Sequence, residues 1–149
     1  MNDTKAVRYV EDDNSDVFMM RRAWQKVGFP NPLHVVRDGQ EATEYLLGAG
    51  KFADRASYPF PTLMLLDLKL PRMSGLEVLK WLREQEDGIR SLPVVILSSS
   101  ALSTDIAAAE APDVTIYWIK SGDPRKLEEM VASLDGLQVD GGAQSRTTT

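Results

Sequence analysis

Leu63-Met64-Leu65-Leu66-Asp67-Leu68-Lys69-Leu70-Pro71-Arg72-Met73-Ser74-Gly75, entered through Thr62, opens with four apolar residues and stops at a carboxylate. An apolar run with no polar alternation suits a strand covered on both faces, as in a parallel sheet between two helix layers. Asp67 then stands at the carboxyl end of that strand, the edge at which open α/β sheets bind ligands. Pro71 and Gly75 suit a turn. Ser74 with Glu77 forms a capping box that opens a helix, and Leu76, Leu79 and Leu82 mark its buried face. A lone Asp after an apolar run can also do no more than end the strand and cap its loop. Partners from other strand ends would distinguish the two readings.

The same strand-then-helix unit recurs on both sides. Residues 6–10 form a first strand, with Arg8 as an unexpected charge, and Glu11, Asp12 and Asp13 follow at once. A helix comes next: Asn14 or Asp13 can cap it, Asp16 favours its first turn, and Val17, Met20, Trp24 and Val27 recur at helical spacing. Gly28, Pro30 and Pro32 end it. Residues 33–36 give a second strand, and Asp38 with Glu41 reads as a second capping box before a helix through Ala42, Tyr45 and Leu46. Gly48 and Gly50 close that helix, and residues 49–61 read as a long loop.

Downstream, Gly88 is expected to break the third helix. Residues 94–97 form a fourth strand leading into Ser98, Ser99 and Ser100, and an alanine-rich fourth helix is expected over 104–111. Residues 114–119 form a fifth strand ending at Lys120. Asp123 and Pro124 open a fifth helix through Leu127, Met130, Val131 and Leu134, with Gly136 suited to its C-cap. Five alternations predict an α/β fold, a parallel sheet with helices on both faces. One domain over 1–136 is expected, with 137–149 an aperiodic, disordered tail.

The chain has 149 residues, enough for one sizeable core, and 17 basic against 22 acidic residues give a net charge of -5. That balance argues against a surface built for nucleic acid. The absence of cysteine excludes disulfides, thiolate metal sites and a cysteine nucleophile. No apolar run approaches the roughly 20 residues that span a bilayer, and no signal segment follows Met1. A soluble, cytoplasmic protein is expected.

The polar residues fall where such a sheet puts its site. Strands one, three, four and five end in Glu11 and Asp12, Asp67, Ser98, and Lys120. Clustered carboxylates repel unless a cation neutralises them, and Mg²⁺ prefers oxygen ligands. This predicts Mg²⁺ held by Asp12 and Asp67, with Glu11 assisting and Lys120 as a mobile charge. If Asp67 is a nucleophile, metal and Lys120 would neutralise phosphoryl oxygens while Ser98 donates to one of them.

With these residues in order, the chain resembles a response-regulator receiver domain of two-component signalling from Ala6 to Leu134. The resemblance implies a flavodoxin-like, doubly wound sheet of order 2-1-3-4-5. It implies that Asp67 accepts the phosphoryl group, that Glu11 and Asp12 are the acidic pair, and that the Lys69 carbonyl is a further Mg²⁺ contact. Ser98 and Tyr117 become the switch residues and Lys120 the cation of the site. Receivers usually follow that lysine with a cis proline; Ser121 stands here, and Asp113 replaces a common glycine. With the long loop, these features resemble small single-domain regulators of phytochrome-type histidine kinases. The implied partners are such a kinase and a second copy, bound through the fourth helix, fifth strand and fifth helix. Lys69 and Ser100 match positions that tune dephosphorylation in the family.

Three other functions remain open at this point. A phosphohydrolase of the haloacid-dehalogenase type also uses an Asp nucleophile and Mg²⁺, but needs a second carboxylate where Lys69 stands. A flavodoxin-like cofactor binder needs a phosphate-cradling loop where this chain has acids. A receiver-shaped scaffold that is never phosphorylated would share the fold; the intact acids, Asp67 and Lys120 argue against it. His34, Trp24, Trp81 and Trp118 are read as packing residues, and Arg21, Arg22, Glu128 and Glu129 as solvated helix faces.

Overall fold

The computed structural model describes residues 6–102, 105–106 and 116–134. Strands β1 (Val7–Val10), β2 (Leu33–Val36), β3 (Leu63–Asp67), β4 (Val94–Ser98) and β5 (Ile116–Ile119) make one sheet in the order β2-β1-β3-β4-β5. All four pairings are parallel. The crossovers carry helices α1 (Asn14–Val27), α2 (Gly39–Leu47) and α3 (Gly75–Arg83), a short α4 (Asp87–Arg90), and α5 (Pro124–Ser133) closes the described chain.

Alternation along the strands sorts the core into two layers. Val7, Tyr9, Leu63, Leu65, Val95 and Leu97 pack with α1 and α5 residues such as Met20, Trp24, Met130 and Val131. Val10, Met64, Leu66, Val94 and Ile96 pack on the other face with α2 and α3, through Ala42, Leu46, Val78, Leu79 and Leu82. The fully buried runs of β1, β3 and β4 are the near-continuous apolar strands that two-sided covering requires.

Local signals set the helix ends. Asp13, and not Asn14, caps α1 by accepting from the Asp16 amide at 3.0 Å. Asp38 caps α2, accepting from the Glu41 amide at 2.8 Å. The expected reciprocal half of that box is redirected: the Glu41 carboxylate accepts from the Arg37 amide at 2.9 Å. Ser74 and Glu77 make both halves of the box at α3. Gly88 does not break the third helix, which already stops at Arg83; it lies inside α4. Asp123 caps α5 with Pro124 just inside, where a missing amide hydrogen costs nothing.

The long loop is folded against α2. Its Gly50–Phe52 forms a 3-10 turn, and Phe52 and Tyr58 pack on Tyr45 with ring centroids 4.9 and 6.2 Å away. Trp24 is buried and donates to the Asn31 carbonyl at 2.8 Å, as a core indole should. The half-buried His34 imidazole is pushed below its usual range by burial and by Arg8 and Arg21, which suits a packing residue. The alanine-rich helix, apart from Asp105 and Ile106, lies outside the described residues. So do Asp113, the first two residues of the expected fifth strand, Gly136 and the tail 137–149.

Candidate functional site

Parallel register brings the strand ends together. Val10 is level with Leu66, Asp67 with Leu97, and Ser98 with Ile119, so Glu11, Asp67, Ser98 and Lys120 converge at one edge. Backbone bonds carry the ladder into the site: the Glu11 amide donates to Val36 at 3.0 Å, and the Lys120 amide to Ser98 at 2.6 Å. Helix α3 starts directly against the end of β3. A Cβ at Gly75 would lie 2.2 Å from the backbone oxygen of Asp67, so only glycine lets the helix begin there.

Asp67 is 4 % exposed and Glu11 1 %. The Asp67 Oδ1 accepts from the Lys69 amide at 2.8 Å, and its Oδ2 accepts from the Lys120 ammonium. Lys120 also donates to Glu11 Oε1 at 3.2 Å and to Asp16 Oδ2 at 2.7 Å. The three N–H bonds of one ammonium are thus matched by three carboxylates. Glu11 Oε2 accepts from the Asp13 amide at 3.1 Å, and Tyr9 donates weakly to Oε1 at 3.4 Å.

These contacts set the protonation of the cluster. Burial, followed by the hydrogen bond and charge of Asp67, pushes the Glu11 carboxyl up to about 8, with Lys120 pulling the other way. Burial lowers the Lys120 pKa, but hydrogen bonds to Asp16 and Asp67 outweigh it and hold the ammonium well above its usual range. The Tyr9 phenol is raised by burial and by the charges of Glu11, Asp16 and Asp67, so it stays protonated.

The cluster opens into a cleft of about 890 Å³ whose wall includes Asp12, Lys69, Ser99 and Ser121. Its donors fit a hard divalent cation. Oxygens of Glu11, Asp16 and Asp67 all lie within 4.8 Å of one another. Two ligands of a Mg²⁺ ion at about 2.1 Å each stand at most about 4.2 Å apart, a span close to that of the trio.

The placement differs from the sequence reading in particular residues. Asp12 lines the cleft but is exposed and lies outside the close trio, where Asp16 stands instead. At Lys69 the contact made is by its amide, to Asp67. Ser98 is buried, yet its hydroxyl is engaged with its own loop, donating to the Ser100 carbonyl at 3.0 Å and accepting from the Ser100 amide at 3.1 Å. Tyr117 is half-buried against the α2 and α3 side of the core. Lys120 reaches Asp67 although Ser121 follows it, and that peptide is trans. Asp16 was missed because an acid in a first turn has a sufficient local explanation. The available signal was that the first turn after β1 sits on the sheet edge that carries the site.

An open, doubly wound parallel sheet with two buried acids and a lysine at its carboxyl edge defines a flavodoxin-like domain with an acidic site at that edge. The model of the response regulator receiver domain matches residues 7–132, and the chain belongs to that family. Response regulator Rcp1 of Synechocystis is 30 % identical over 139 residues, 93 % of this chain and 92 % of that one. The crystal structure of the phosphorylated cyanobacterial phytochrome response regulator RcpA superposes with a TM-score of 0.78 at 31 % identity, covering 93 % and 96 % of the two chains. The structure of the Mn²⁺-bound form of Rcp1 matches with a TM-score of 0.73 at 32 % identity, covering 89 % and 92 %. Family membership places the chain among signalling regulators and sets aside the phosphohydrolase and cofactor-binder alternatives. Among the described residues no helix is long and apolar enough to cross a membrane.

Proposed function

We propose that Asp67 accepts a phosphoryl group from the phosphohistidine of a partner histidine kinase, in a reaction supported by Mg²⁺, and that the phosphorylated chain signals through protein contacts. The observation that carries this reading is the convergence of buried Asp67 and Glu11 on the Lys120 ammonium at the mouth of the cleft. An Asp67 oxygen attacks phosphorus, the P–N bond breaks, and the imidazole nitrogen keeps the electron pair. Bound Mg²⁺ would supply positive charge to the phosphoryl oxygens, held by Asp67, Asp12 and the Lys69 carbonyl with Glu11 beside them, and with Asp16 also within reach. Lys120 transfers its hydrogen bond from Asp67 to a phosphoryl oxygen. Ser98 leaves its own loop to donate to another, which opens space for Tyr117. The acceptor is regenerated by hydrolysis of its own acyl phosphate, so the chain acts as a switch and not as a turnover enzyme.

The similarity to the phytochrome response regulators supports a phytochrome-type kinase as the phosphodonor. Exposed Ile119 on β5 supports a contact surface there, for a second copy or for that kinase. Incubation with a small phosphodonor and Mg²⁺, read by intact mass, should add one phosphoryl group to the wild type and none to Asp67→Asn. Equal labelling of Asp67→Asn would sink the assignment.

A further inference from the structure

Both Asp67 oxygens are occupied, one by the Lys69 amide and the other by Lys120. For Oδ2 to attack phosphorus, the ammonium has to let go of it. What the ammonium keeps then decides where it goes. Glu11 holds it from deep in the fold, with a side chain 2 % exposed. Asp16 holds it from the cleft side, on the first turn of α1, with a side chain 40 % exposed and the shorter contact of 2.7 Å. An ammonium strung between these two anchors pivots outward across the face of Asp67, toward an arriving phosphoryl group. Without Asp16 its remaining partners are the two buried acids, and no carboxylate on the cleft side holds it when it leaves Asp67. We infer that Asp16 is a positioning residue, which shares the Lys120 ammonium with Asp67 and keeps it on the cleft side, where the phosphoryl oxygens arrive, once its bond to Asp67 is given up.

This inference rests on the phosphoryl-acceptor reading and adds to it a role for an acid that also lies within metal-binding distance of Glu11 and Asp67. The two roles separate experimentally. Phosphoryl uptake from a small donor, measured against donor and Mg²⁺ concentration, should slow about tenfold at saturation in Asp16→Asn and Asp16→Ala. The Mg²⁺ concentration for half-maximal rate should stay unchanged, and Asp16→Glu should recover most of the rate. In a Lys120→Ala background Asp16→Asn should have no further effect, since the residue it positions is gone. The Lys120 ¹⁵Nζ resonance should shift in Asp16→Asn, which lost helix stability alone would not produce. A raised Mg²⁺ requirement in both backgrounds would make Asp16 a metal ligand and overturn the inference. So would a wild-type rate in Asp16→Asn. Failure of the wild type itself to label would instead overturn the proposed function.

Discussion

Lys120 and Arg8 are both cations withdrawn from water by the same sheet, and their surroundings are opposite. Lys120 meets Glu11, Asp16 and Asp67 at the carboxyl edge. Arg8, 4 % exposed in the middle of β1, makes no salt bridge among the described residues; its Nε and Nη2 have no hydrogen-bond partner there. Its guanidinium instead lies 3.5 Å over the Tyr45 ring. Tyr45 is itself fixed from outside: its hydroxyl donates to the Pro59 carbonyl at 2.6 Å, and Arg55 ties the loop to α2 by donating to Leu46 and Tyr58 carbonyls. A guanidinium is weakly hydrated and stacks on a ring face, so it tolerates this setting; a compact ammonium needs oxygen acceptors. Burial lowers the Arg8 pKa, with Tyr45 opposing it, whereas the carboxylates raise that of Lys120. The difference separates a cation packed on a ring from one placed among carboxylates at the sheet's carboxyl edge. Only the Lys120 site carries more negative than positive charge and opens to a cleft, a surplus that favours a divalent cation.

The largest effect should come from substituting Lys120 by methionine. Lys120→Met should slow phosphoryl uptake about 100-fold, because the transferring group loses its protein cation. It should also destabilise the fold by about 3 kcal/mol in chelator, by leaving buried carboxylates unpaired. Urea titration should show Mg²⁺ restoring more stability to Lys120→Met than it adds to the wild type. A variant as stable as wild type in chelator would mean that the acids do not depend on the lysine.

Next in size is a pH effect confined to the acidic edge. The Glu11 carboxyl is raised from 4.5 to about 8 in the folded chain, so between those values the folded state holds a proton that the unfolded state has lost. Stability from this group is therefore full below about pH 4.5 and is lost as pH rises toward 8, a change on the order of a few kcal/mol. Chemical denaturation in chelator across this range should show the decline in wild type. Glu11→Gln should remove it, and Arg8→Met should leave it in place.

The smallest effects belong to the Arg8 side. Arg8→Met, which fills similar volume without a charge, should leave stability within about 1 kcal/mol of wild type or raise it. Tyr45→Phe keeps the ring under the guanidinium and loses the bond to Pro59, for a cost of about 1 kcal/mol. Neither should alter phosphoryl uptake. A large loss of uptake in Arg8→Met would break the division between the two cations.

Residue order alone determined the alternation of strands and helices, the caps at Ser74 and Asp123, and the placing of Glu11, Asp67, Ser98 and Lys120 at strand ends. Those features are local: a buried parallel strand must be apolar throughout, and a helix start needs an acceptor for its free amides, so both leave a pattern in consecutive residues. Tertiary structure decided the rest. It chose Asp16 over Asp12 for the cluster on Lys120, because α1 turns its first coil over the loop that follows β5, 104 residues away in sequence. It gave Arg8, conspicuous but unexplained in the sequence, an aromatic face from α2, and gave Gly75 its necessity through the Asp67 carbonyl. Such contacts join elements whose sequences carry no trace of each other, since charge pairing and close approach act through space and only the packing of the sheet sets those distances.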